Sequence, residues 1–262
     1  MDTVLAENSI AYLGSDRNER LDLYRLPGSS RPSPVVIFID GGAFHTGGRL
    51  SERSQIFSGL MAHGGYAVLA IDYALSKSGS GVERWSAWPR NLLDIAAAVA
   101  FAYHHDRELD FDRNRIALVG ASAGGTLALL AAFGAAEAQG AEKTATHIRS
   151  VVNLYGRVDW RRHTIADRQP DSHETAVAAS PVHWIEDSVY KTPVLTLHGD
   201  RDAVVPIEQA YLLDASLRAS DIPHEFHELK GVEHSFILAP EPERIKELLL
   251  SFLERTLKSP GE

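Results

Sequence analysis

The sequence predicts an α/β fold, a mostly parallel sheet with helices packed on both of its faces. Two observations carry that prediction. Short continuous apolar runs recur along the chain, as strands covered on both sides require. Between them lie helical patterns of roughly ten residues or more, the length a parallel crossover needs. A third observation locates the chemistry: Gly120-Ala121-Ser122-Ala123-Gly124 stands directly after one apolar run and before an Ala/Leu-rich helix.

The elements follow in order. Glu19 to Tyr24 alternates polar and apolar residues, as a half-buried strand does. Gly28 to Pro34 is a turn-rich connection, and Val35 to Ile39 is the first continuous apolar strand. Ser51 to His63 carries Ile56, Leu60 and Met61 at helical spacing, and Tyr66 to Ile71 reads as the next buried strand. Trp88 to His104 has a broad apolar helical face made by Leu92, Leu93, Ile95, Ala96, Val99 and Ala100. The strand Arg115 to Val119 leads into the Ser122 turn and the helix Thr126 to Ala132. Strands at Ser150–Leu154, Pro193–Leu197 and Glu225–Leu229 follow, with helices at Pro206–Leu217 and Glu241–Leu257. Tyr155 to Tyr190 breaks the alternation. Insertions that long are usually lids or binding elements, so it is expected to cover a site, as is the Gly/Ser-rich segment Ser76 to Ala87. Both leave the carboxyl ends of strands, where open α/β sheets place their ligands.

Composition narrows the function. With 262 residues and 44% hydrophobic content the chain can bury one large core, so residues 1–262 are expected to form a single domain. It has no cysteine, which excludes disulfides and thiolate metal sites. The start lacks a basic, then apolar, leader, and no apolar run nears the ~20 residues of a membrane span. A cytoplasmic protein without a membrane partner is expected. The net charge of −9 argues against nucleic acid. Self-association into a homodimer is compatible with this composition.

Gly-x-Ser-x-Gly between strand and helix is the nucleophile elbow. The turn is so tight that only small residues fit beside the serine, whose hydroxyl is pushed clear of the sheet. A serine hydroxyl needs a base to take its proton and a third group to orient that base. His234, in the tight Gly231-Val232-Glu233-His234 loop after the last strand, is the candidate base, with Asp200 or Asp202 as the acid. The order Ser, Asp, His is the one this elbow demands. Asp40-Gly41-Gly42-Ala43 follows another strand. The N–H groups of Gly41 and Gly42, with that of Ala123, would meet the oxyanion of a tetrahedral intermediate. No metal or organic cofactor is called for. His224 and His227 share a strand but face opposite sides and cannot chelate together. The remaining histidines are expected to be mostly solvated.

With these motifs the chain resembles α/β-hydrolases of the carboxylesterase/lipase group. It is most similar to small bacterial esterases akin to acetyl esterases, feruloyl-type esterases and arylformamidases. The resemblance runs from Leu21-Asp22-Leu23-Tyr24 through Val36–Phe44, Tyr66–Tyr73, Ile116–Gly125 and Leu197–Pro206 to the last helix. It implies an eight-stranded, mostly parallel sheet flanked by helices, with residues 155–190 as a short lid insertion. It also assigns the triad acid to Asp202. The implied activity is cleavage of a small acyl or aryl ester through an acyl-enzyme, in a pocket drawing on Phe44, His45, Trp85, Trp88, Tyr155, Trp160 and Trp184. An arylformamidase or other amide hydrolase would use the same triad. A non-catalytic hydrolase-fold receptor would typically lack a triad member, and this chain keeps all three.

Two departures stand out. Relatives usually open the oxyanion loop with His-Gly-Gly, where this chain has Asp40. A carboxylate ~7 Å from the oxyanion would oppose it by ~2 kcal/mol at an effective dielectric of about 20. Asp40 is therefore expected to turn away and brace the loop through backbone N–H groups. Tyr73-Ala74-Leu75 stands where relatives commonly carry Tyr-Arg-Leu, so the partners of a missing arginine must be satisfied differently.

Overall fold

The computed structural model describes residues 4–29, 31–77, 85–161, 170–186, 188–237 and 241–257. Its strands are β1 (Leu5–Ile10), β2 (Leu21–Arg25), β3 (Ser33–Ile39), β4 (Ala67–Ile71), β5 (Phe111–Ala121), β6 (Ile148–Leu154), β7 (Val194–Gly199) and β8 (His224–Leu229). They form one eight-stranded sheet in the order β1-β2-β4-β3-β5-β6-β7-β8. The pairs β1/β2 and β2/β4 are antiparallel and every other pair is parallel. The residue pattern alone supports seven of these strands. The eighth is β1, a short edge strand whose sequence, Leu5-Ala6-Glu7-Asn8-Ser9-Ile10, has no clean alternation and whose register slips between Glu7 and Ile10.

The longer helices are α1 (Glu52–His63), α2 (Arg90–His104), α3 (Ala123–Ala132), α7 (Glu208–Ala219) and α8 (Pro242–Leu257). The described residues also form short helices α4 (Ala135–Ala138), α5 (His173–Ala178) and α6 (Pro181–Glu186). Successive strand residues face opposite sides of the sheet. Accordingly Val35, Ile37 and Ile39 join a core with α2, α3 and α7, while Val36 and Phe38 join another with α1 and α8. The continuous apolar runs are thus strands buried on both faces. Ser51 caps α1, its hydroxyl accepting the Ser54 N–H at 3.1 Å.

The chain leaves β3 toward β4 on one side and reaches β5 on the other, so a crevice opens beyond the carboxyl ends of β3 and β5. The segment 155–190 is an excursion between β6 and β7, and its described part holds α5 and α6. Residues 162–169 and 187 of that lid expectation, and 78–84 of the Ser76–Ala87 connection, lie outside the described residues. No helix among the described residues is long and apolar enough to cross a membrane.

The missing arginine at position 74 has a visible replacement. The Ala74 N–H donates to buried Asp94 on α2 at 2.7 Å, and Arg17 clamps the same carboxylate with two bonds of 2.8 and 2.6 Å. A guanidinium supplied from before β2 therefore serves a carboxylate beside position 74.

Candidate active site

Ser122 sits between β5 and α3 with φ 53° and ψ −118°, a strained conformation for a residue with a side chain. Its neighbours explain the motif. A Cβ on Gly120 would lie 2.2 Å from the Gly124 carbonyl oxygen, and one on Gly124 would lie 2.0 Å from that of Ile39. Only glycine fits at either position. The Ser122 N–H is tied to the Leu154 carbonyl at 2.8 Å, which fixes the elbow against β6.

The side chain then faces His234. Ser122 Oγ is 3.0 Å from His234 Nε2, and His234 Nδ1 is 2.6 Å from Asp202 Oδ2. An ionised carboxylate only accepts, so Nδ1 carries the proton and Nε2 presents its lone pair to the hydroxyl. Three residues spread over 112 positions of chain form one relay. Asp202 is the carboxylate that reaches His234, and Asp200 does not. Asp200 instead accepts the Gly231 N–H at 2.6 Å and so shapes the loop that carries the base.

Asp202 is held from several directions. Its Oδ1 accepts the N–H groups of Val204 and Val205 at 2.9 and 2.8 Å. His198 Nε2 lies 3.2 Å from Oδ2 and donates to the Val205 carbonyl at 2.8 Å. Burial pushes the Asp202 carboxyl up, but bonds from His198, His234 and the Val205 amide outweigh it and hold the group well below the usual carboxylate range. His198 is the exception to the expectation of mostly solvated histidines among the described residues, because it is wholly buried behind Asp202.

The loop after β3 closes against the serine. A Cβ on Gly41 would fall 2.7 Å from the Ala121 oxygen and 2.9 Å from Ser122 Cβ, so this backbone touches the nucleophile's own. Neither Gly41 nor Gly42 spends its N–H on a backbone bond to another described residue. The Ala123 N–H is in the first turn of α3, where helical N–H groups lack an intrahelical acceptor. Ala43 and Phe44 follow in left-handed conformations, at φ 54° and 65°. With Ser122, Tyr155 and Ser235 they make five left-handed non-glycine residues around this edge.

Asp40 is completely buried and does turn from the crevice. Its Oδ2 accepts the Gly48 N–H at 3.1 Å, which is the backbone brace expected of it. Its other oxygen meets Arg53 Nε of α1 at 2.6 Å, a partner the sequence did not reveal. Arg53 also pulls electrostatically on the Tyr155 hydroxyl, which burial pushes up to about 12.

The aromatic residues divide into two groups. Phe44, Trp85 and Trp160 form a mutual cluster with ring centroids 4.9–5.7 Å apart, and Trp88 joins through Trp85 at 6.2 Å. His45 is half-buried beside them in chain, its Nδ1 3.1 Å from the Ser76 carbonyl. Tyr155 corrects the pocket expectation. It is fully buried, meets His234 edge-on at 4.9 Å and donates to the Phe236 carbonyl at 3.2 Å, so it backs the His234 ring and offers no surface to a ligand. Trp184 makes no ring contact with the Phe44 cluster among the described residues, and its indole N–H donates to the Ala178 carbonyl at 2.8 Å.

Comparison with known proteins places the chain in a family. Residues 21–217 match the BD-FAE family. The chain is 34% identical over 248 residues to "Esterase LipC" of Mycobacterium tuberculosis, covering 86% of this chain and 59% of that protein. It is 30% identical over 253 residues to "Probable carboxylic ester hydrolase LipM" of the same organism, covering 88% of this chain and 56% of LipM. The chain thus spans a little over half the length of these curated relatives. Among solved structures, a "Truncated form of carbohydrate esterase from gut microbiota" superposes with a TM-score of 0.81 at 20% identity, covering 98% of both chains. A Pyrobaculum calidifontis esterase superposes with a TM-score of 0.77 at 20% identity, covering 96% of this chain and 85% of the other. The family model spans β2 to α7, the superposed structures share this fold, and the chain belongs to the BD-FAE family, on the α/β-hydrolase fold.

Proposed function

We propose that this protein is a serine esterase that cleaves a carboxylic ester through an acyl-enzyme. The observation that carries the reading is the continuous pair of hydrogen bonds from Ser122 Oγ to His234 and from His234 to Asp202. In this reaction His234 Nε2 takes the hydroxyl proton as Oγ attacks the acyl carbon. Asp202 stabilises the imidazolium, and the N–H groups of Gly41, Gly42 and Ala123 receive the oxyanion. The imidazolium then protonates the departing alcohol. Water, deprotonated by the same nitrogen, releases the acid and restores the serine. The tight Phe44–Trp85–Trp160 cluster supports a small acyl or aryl ester over a long lipid. A cysteine-free chain needs no oxidising compartment, which permits the cytoplasmic site of action proposed here.

The test is labelling by a fluorophosphonate together with hydrolysis of 4-nitrophenyl acetate. Ser122→Ala is expected to abolish labelling and to lower kcat by about a millionfold, as loss of the nucleophile does in related triads. Labelling that persists in the variant, or an equal rate on the ester, refutes the proposal. A parallel assay on an N-formyl aryl amide decides between ester and amide as the better substrate.

A further inference from the structure

Arg157 follows β6 by three residues and is 9% exposed, a buried cation that this mechanism does not use. Its guanidinium lies over the Trp160 ring at 5.2 Å from the centroid. Among the described residues it makes no hydrogen bond and no ion pair through that group; only its backbone carbonyl is engaged, by Thr126 Oγ1 at 2.7 Å. The two carboxylates that act on it are already occupied. Asp159 is held by Arg161 through both oxygens at 2.9 Å, and Asp202 by His234 and two backbone amides. Burial pushes the Arg157 pKa down, and Asp159 and Asp202 only partly oppose this.

A buried cation without a direct partner is costly, since it gives up hydration and gains no ion pair. The backbone that holds it is rigid. Gln209 Oε1 accepts both the Val158 and Asp159 N–H groups at 2.9 Å, and Ser180 Oγ accepts the Trp160 N–H at 2.8 Å. The location is also specific. Arg157 is within electrostatic reach of the triad acid, and the ring beneath it is packed against Phe44 of the oxyanion loop. Tyr155, two positions earlier, backs the base.

We infer that Arg157 is a substrate-anchoring residue that takes a carboxylate carried by the ester, making esters with a free acid group the preferred substrates. The inference rests on the esterase reading above. A planar guanidinium pairs with a carboxylate through two parallel bonds. A single cation matches the single charge of a carboxylate, whereas a phosphate dianion would call for a second one. A guanidinium held over an aromatic ring keeps its N–H groups for a hydrogen-bonding ligand, and Trp160 supplies that ring here.

Two matched pairs of esters test this at constant pH. In one, 4-acetoxybenzoate is compared with its methyl ester; in the other, monoethyl succinate with diethyl succinate. The first places the acid on the alcohol side and the second on the acyl side. The wild type is expected to favour the anionic member of one pair, mainly through KM. Arg157→Met should lower kcat/KM on that member about 10- to 100-fold, the range for charge-assisted hydrogen bonds. Its neutral partner should change much less, and Arg157→Lys should recover part of the preference. No anionic preference in either pair, with the neutral esters still turned over, overturns the inference and leaves the esterase reading standing. Equal losses on both members in Arg157→Met overturn it as well. If the wild type turns over no ester at all, the esterase reading falls and the inference with it. Should Arg157→Met not fold, inhibition of the wild type by benzoate and benzamide decides: benzoate must inhibit more strongly, and equal inhibition refutes the anchor.

Discussion

Arg53→Met removes the partner of a carboxylate that has no access to water. Asp40 is completely buried, and Arg53 Nε meets it at 2.6 Å with a side chain only 16% exposed. Breaking a buried pair by deleting one member costs about 3–5 kcal/mol, because the remaining charge is stranded. At about 2–4 °C per kcal/mol for a chain of this size, the melting temperature should fall by roughly 10 °C. Catalysis should suffer separately. With Arg53 gone, the Asp40 charge acts unopposed on the oxyanion; for a separation taken as ~7 Å this raises the barrier by ~2 kcal/mol at a dielectric of about 20, or about 30-fold in kcat. KM should change little, since the charge develops only in the transition state. Circular dichroism melts and steady-state hydrolysis of 4-nitrophenyl acetate read the two effects. Asp40→Asn in the Arg53→Met background should return much of both, because it removes the stranded charge while keeping an acceptor for the Gly48 N–H. Strictly additive losses in the double variant would refute the coupling, and with it the explanation of why this loop tolerates an aspartate.

Two further outcomes follow from the site. Gly41→Ala inserts a Cβ 2.7 Å from the Ala121 oxygen, so the loop must shift away from Ser122. Stopped assays should show kcat down about 10²–10³-fold, the worth of an oxyanion donor, with fluorophosphonate labelling slowed but retained. Asp202 has its folded pKa depressed, so its contribution to stability is complete above the unfolded value of about 3.9 and is lost as pH falls toward the folded one. Asp202→Asn should therefore flatten the loss of stability on acidification below about pH 4, measured by urea unfolding at stepped pH, and a wild-type slope in the variant would remove the assigned cause.

The sequence made legible whatever depends on neighbours along the chain. Gly120 and Gly124 are close in sequence because the elbow demands small residues on either side of one serine. The loops bearing Gly41, Asp202 and His234 each follow an apolar run, and the sheet brings their ends together. Contacts decided by tertiary packing stayed hidden. Arg53 lies on α1, thirteen residues from Asp40, and nothing in its helical context distinguishes it from a solvated arginine. His198 reads as one more letter of a glycine-aspartate turn, yet the sheet buries it behind Asp202. Tyr155 is recognisable as an aromatic at a strand end. Only the fold determines that it lies beneath the imidazole and not in the pocket. The choice between Asp200 and Asp202 needed the resemblance, because both occupy the same turn and either could have been its structural member.

The left-handed residues Ala43, Phe44, Ser122, Tyr155 and Ser235 carry a consequence for heat inactivation. Each holds about 1–3 kcal/mol of backbone strain that only the surrounding packing can sustain. Warming loosens the loops at the sheet's rim before it melts the doubly covered strands beneath. On the proposed esterase function, the protein is thus expected to lose turnover while its circular dichroism is still native, and to regain it on cooling for as long as the central strands hold.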